Sequence, residues 1–94
     1  MYLVMLHYIQ PLEIVDRWRD AHRAFLDRHY ASGDFLLSGP KVPRTGGVIM
    51  VKDVGAERLK QIFEQDPFQQ QRIAEYEIVE FSPVKHRPEF RDLV

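Results

Sequence analysis

Not one of the 94 residues is a cysteine, so disulfides, thiol catalysis and thiolate metal sites are excluded from the start. No apolar run approaches the roughly 18 residues that a membrane-spanning helix needs. The opening Met1-Tyr2-Leu3-Val4-Met5-Leu6-His7 lacks the basic stretch and small-residue cleavage site of a secretion signal and reads as a strand. A cytoplasmic location is the expectation. Charge of one sign is also missing. Thirteen basic residues against fourteen acidic leave a formal net charge of −1, which argues against general nucleic-acid binding while leaving room for a local anion pocket. The length allows a single domain over 1–94, with a core at about 2–82 and a tail at 83–94. Hydrophobic residues at 45% make a folded chain the expectation rather than a disordered one.

Against these absences stands a regular alternation of patterns. Tyr2 to Ile9 is β-branched, aromatic and apolar, a strand that Gln10-Pro11 ends. Leu12 to Ser32 has helical periodicity, with Val15, Trp18, His22, Phe25, Leu26 and His29 on one stripe. On the other directions Asp16 can meet Arg19, and Asp20 can meet Arg23. Gly33 suits the left-handed position after a helix. Phe35-Leu36-Leu37-Ser38 is a short strand, bent at Ser38-Gly39-Pro40. A loop rich in proline and glycine leads to the strand Val48-Ile49-Met50-Val51, and the two strands suggest an antiparallel hairpin. Ala56 to Gln65 is a second helix with Leu59, Ile62 and Phe63 as its stripe. Asp66-Pro67 stops it and can cap a short helical turn over Phe68 to Ile73. Glu75 to Phe81 alternates as a half-buried strand with Tyr76 and Ile78 inward, and Ser82 onward is a polar tail.

Strand, helix, strand, strand, helix, strand is the ferredoxin-like βαββαβ order of an α+β protein. It places one antiparallel sheet against two helices on one face. The other sheet face must also be covered. Pairing two sheets face to face predicts a homodimer of the α+β barrel type.

Few residues here can carry chemistry. His22 sits mid-stripe between Trp18 and Phe25, facing the sheet or a pocket. It is either a core histidine satisfied by a backbone carbonyl or a neutral general base. Asp66 is either only a helix cap or also the carboxylate that orients a histidine, and one oxygen can cap while the other accepts from His22. His29 lies about 10.5 Å further along the helix, too far to share a metal with His22. No i,i+4 histidine pair or His-x-Glu pattern exists, and no metal or other cofactor is expected. Ser38, Gly39 and Pro40 can line a pocket, with Gly39 allowing close backbone approach. Trp18 and Phe68 are candidate ligand walls, although both types are more often core. Ser38 lacks the surroundings of a nucleophilic serine.

His22, Gly33, Ser38-Gly39-Pro40 and Asp66-Pro67-Phe68, in this order on a βαββαβ framework, resemble the YciI-like (YCII-related) family of small α+β proteins. The resemblance spans about residues 2 to 82. It implies a dimeric ferredoxin-like or α+β barrel fold and a histidine–aspartate pair in a pocket, His22 and Asp66 in this sequence. Members of the wider family include ring-cleavage-pathway enzymes that eliminate halide from chlorinated aromatics. This chain departs from the pattern in having His29 at an aliphatic position and Arg72 where a small residue, often glycine, is usual. Arg72 reads as a surface residue, or as a positive charge near the pocket that would favour an anionic or phenolate substrate. The expected function is a small cofactor-independent enzyme using the pair for proton transfer, in elimination or isomerisation of a small cyclic or carbonyl substrate, aromatic ones included. Its rivals are a non-catalytic ligand-binding or accessory module and, by fold analogy alone, a cofactor-free monooxygenase. Expected partners are a second copy of the chain and a small molecule.

Overall fold

The computed structural model describes residues 1–94 and follows the expected order. β1 (Tyr2–Tyr8) leads to α1 (Leu12–Ala31), β2 (Phe35–Pro40), β3 (Gly46–Val51), α2 (Ala56–Glu64), the short α3 (Pro67–Gln70) and β4 (Ala74–Glu80). The four strands form one sheet in the order β2-β3-β1-β4, with every pairing antiparallel. This is the ferredoxin-like arrangement. No helix is long and apolar enough to cross a membrane.

Alternation along the strands sorts their residues. Tyr2, Val4 and Leu6 of β1 and Ile49 and Val51 of β3 are buried under the helices. From α1 they meet Val15 and Phe25, and from α2 Leu59, Ile62 and Phe63, so both periodic stripes are the ones the sequence displays. Gly33 has φ +83°, and the Ser32 and Gly33 amides donate to Arg28 and Tyr30 carbonyls to close α1.

Two strand boundaries differ from expectation by two residues. β2 continues through Pro40, and β3 begins at Gly46 instead of Val48. β2 is an edge strand, where a proline's missing N–H costs no ladder bond. Gly46 is forced: a Cβ there would lie 1.7 Å from the Leu6 carbonyl oxygen of β1. The tail also departs from a purely polar segment, because Pro88–Leu93 forms an exposed 3-10 helix. Of the two charge pairs expected on α1, Arg19 approaches Asp16 at 3.9 Å, whereas Arg23 does not pair with Asp20.

Candidate active site

Asp66 is fully buried, an arrangement that only complete hydrogen bonding can support. Its Oδ1 accepts from the Phe68 amide at 3.0 Å and so caps α3. The same oxygen accepts from His22 Nδ1 at 2.8 Å. Oδ2 accepts from the Tyr76 hydroxyl of β4. The expected division, one oxygen for the cap and the other for the histidine, is therefore corrected: both share Oδ1, because Tyr76 occupies Oδ2. Burial, and then the neighbouring carboxylate, push the Tyr76 phenol well above its ordinary pKa. It stays protonated and remains a fixed donor.

Three elements remote in sequence thus hold one imidazole. Its Nδ1–H points at a carboxylate, and its face stacks on Phe68 with centroids 4.0 Å apart and planes 3° from parallel. With Nδ1 donating, Nε2 carries the lone pair and has no protein partner. The His22 side chain is 13% exposed, and that exposure is toward a pocket of about 340 Å³ lying between α1, β2 and the β2–β3 loop.

Most of the residues singled out in the sequence converge here. His22, Ser38, Gly39, Pro40 and Phe68 all line the pocket, with Asp66 directly behind His22. Ser38 Oγ is hydrogen-bonded to the Tyr30 hydroxyl, so it helps fix the wall. Gly39 has open space where a Cβ would stand. Trp18 is the exception. It packs half-buried against the hydrophobic core and does not line the pocket, so its reading as a substrate wall is corrected. Arg72 also lies away from the pocket. It is exposed in the turn before β4 with φ +53°, and its carbonyl accepts from Gln10. That left-handed backbone is where a glycine costs least, which accounts for the preference the resemblance implies at this position.

Two groups of residues at the site escaped the sequence reading. Tyr76 was placed inward by alternation, and a buried phenol needs a partner, so a signal existed. Arg19, Arg23 and Arg44 line the pocket too, although the sequence reading assigned none of them to it. Arg44 forms an ion pair with Asp16 that ties the β2–β3 loop to α1. The hydrogen bond from Arg44 holds the Asp16 carboxyl below its ordinary pKa.

Fold and pocket together define a small ferredoxin-like α+β protein with a buried histidine–aspartate–tyrosine chain of hydrogen bonds at a one-ring-sized cleft. A model of the YCII-related domain matches residues 1–82, and the chain belongs to that family. None of the curated proteins matches the sequence. Among solved structures, the chain is similar to the 5-chloro-2-hydroxyhydroquinone dehydrochlorinase of Burkholderia phenoliruptrix AC1100, determined in complex with 2,5-dihydroxybenzoquinone. The TM-score is 0.72 at 17% sequence identity, covering 87% of this chain and 94% of that one.

Proposed function

We propose that the protein is a cofactor-independent enzyme that moves a proton with His22 and Asp66 on a small cyclic or carbonyl substrate. The observation that carries this reading is the 2.8 Å His22 Nδ1–Asp66 Oδ1 bond beside a pocket onto which the other imidazole nitrogen is free to act. In that arrangement Nε2 is the base. Asp66 fixes the tautomer and stabilises the imidazolium that forms, and Tyr76 and the Phe68 amide fix Asp66. A halogenated phenol first takes its keto form, one hydroxyl proton moving to the halogen-bearing ring carbon; removal of a remaining enol proton by Nε2 then forms a second carbonyl and shifts the ring double bond. The bond to a leaving group on the allylic carbon then breaks. With a halide leaving, the balance is loss of one HX. Returning the proton to carbon instead gives isomerisation. The similar dehydrochlorinase supports this class of reaction, since its named substrate is a chlorinated hydroxyhydroquinone.

The protein acts as a homodimer in this reading. Leu3 and Met5 of β1, Val48 and Met50 of β3, Leu37 of β2 and Val79 of β4 share the sheet face away from the helices, by the register of the strands. Leu37 and Val79 are 51% and 42% exposed in the single chain. A second sheet would cover this face.

The test is chloride release from 5-chloro-2-hydroxyhydroquinone and a panel of related halogenated ring compounds, with His22→Gln and Asp66→Asn beside the wild type. Release by the wild type that falls about 10²–10⁴-fold in both variants is the expected result. Turnover unchanged in His22→Gln removes the proton-transfer reading and leaves ligand binding in its place.

A further inference from the structure

The charge lining the pocket is one-sided. Arg19, Arg23 and Arg44 all face it, and not one carboxylate lines it. The protein as a whole carries a net charge of −1, so this is a local concentration and not a consequence of composition. Asp66 lies behind the His22 ring, its two oxygens already engaged by three donors. Asp16 is the one carboxylate that compensates the arginines: it is ion-paired with Arg44 and lies 3.9 Å from Arg19. Three guanidinium groups thus share one nearby carboxylate.

Arg23 is the unpaired member. Asp20 stands three residues before it and Asp27 four residues after it, both within ordinary reach on a helix surface. Arg23 makes an ion pair with neither, and instead its side chain lines the pocket next to His22. It also follows Arg19 by four residues, a like-charge spacing that costs helix stability unless an anion lies between the two groups. The apolar part of the lining, Leu6, Leu26, Ile49 and Phe68, offers walls for a flat ring. At about 340 Å³ the cleft is at the small end of ligand pockets.

We infer that the pocket takes a small ring-bearing oxyanion, an enolate, phenolate or ring carboxylate, and that Arg23 is the residue that holds its charge. The inference rests on the reading of this pocket as the substrate site and specifies what that site selects. Arg23 and His22 are adjacent in the chain. A guanidinium on the oxyanion withdraws charge from the ring and makes a second hydroxyl proton easier for His22 Nε2 to remove.

The experiment is a binding titration of the full chain by calorimetry, with amide chemical shifts of Ser38 and Gly39 locating the ligand. The charged probes are benzoate and the 2,5-dihydroxybenzoquinone anion. Benzamide and 2,5-dimethoxybenzoquinone are their neutral counterparts, and inorganic phosphate is the ring-free anion. The anions are expected to bind at least about tenfold tighter than their neutral counterparts, with a dependence on salt. Arg23→Gln is expected to erase that difference, and Arg23→Lys to restore part of it as a charge without the planar fork. Arg23 is exposed, and an unchanged His22 imidazole nitrogen spectrum in Arg23→Gln shows that the pair remains in place. Equal binding of charged and neutral probes overturns the inference, as does no binding of either anion or an Arg23→Gln variant that keeps the preference. Phosphate binding as tightly as benzoate overturns its ring-bearing part. Anion preference without turnover sinks the reaction reading alone, and turnover without anion preference sinks this inference alone.

Discussion

His22 and His29 stand seven residues apart on one face of α1, in nearly the same orientation to the helix axis, and meet opposite surroundings. His22 has a carboxylate on one nitrogen and a cleft beside the other. His29 is 5% exposed, packs against Phe25 and Phe35 with ring centroids 4.9 and 5.0 Å away, and has no hydrogen-bond partner on either nitrogen. Burial pushes its pKa below the ordinary histidine value. Gln65 and Asp34 oppose that shift, with Gln65 approaching outside hydrogen-bond geometry, and Arg28 and Arg58 add to it. The helix gives both rings the same direction. What separates them is the element each one meets: the α2–α3 junction carries Asp66 to His22, and the aromatic core closes on His29. A histidine on an apolar stripe acquires chemistry from its partner, not from its spacing.

The largest break in this contrast comes from removing the partner. Asp66→Ala strips three donors of their common acceptor and is expected to cost about 3–5 kcal/mol in urea denaturation, since each buried donor left unsatisfied costs about 1–3 kcal/mol. A loss below about 1 kcal/mol would show that the His22 end tolerates an unpaired ring as the His29 end does. Next is Tyr76→Phe, which leaves one oxygen of a buried carboxylate unsatisfied. It is expected to cost about 1–3 kcal/mol, with His22 kept in place by Oδ1. An unchanged denaturation midpoint would remove Tyr76 from the chain of hydrogen bonds.

The contrast is sharpened from the other end by His29→Leu, which removes two unpartnered nitrogens at similar volume and is expected to stabilise by about 1–2 kcal/mol. The sign with pH follows from the depressed pKa. Below about pH 6.5 the unfolded chain binds a proton at His29 that the folded chain resists, so wild-type stability falls as pH drops through that value. The stability gap between variant and wild type should therefore widen from pH 8 to pH 5. A gap independent of pH would mean that His29 titrates alike in both states. The smallest effect belongs to Asp16→Asn. It frees Arg44 at an exposed ion pair and is expected to leave the melting temperature unchanged, while raising the affinity of benzoate by adding an uncompensated guanidinium to the pocket.

Much of this molecule is legible in the chain because its signals are local. The stripe of α1, the stripe of α2 and the Asp66-Pro67 cap each depend on residues within a turn or two, and all three stand in the structure as read. Gly33 is legible for the same reason, since its positive φ is a property of the helix end. Trp18 shows where that logic stops: its stripe position establishes that it turns inward, and only the neighbouring elements decide whether core or cleft is there. Arg23 shows the converse. Helix spacing offered it Asp20 and Asp27, yet its side chain lines the cleft that β2 and its following loop close on the far side.

The sequence alone therefore determines the order of elements, the inward faces of α1 and α2, and the two residues, His22 and Asp66, whose types can share a proton, whereas Ile78, expected inward on β4, is 49% exposed. Tertiary structure decided that these two meet across 44 positions, that Tyr76 takes the second carboxylate oxygen, that His29 stays unpartnered and that three arginines surround one cleft. The physical reason is range. Helical and strand periodicity orient a side chain relative to its own backbone, but a hydrogen bond reaches only about 3 Å. Which groups come within that distance is settled when the helices pack on the sheet.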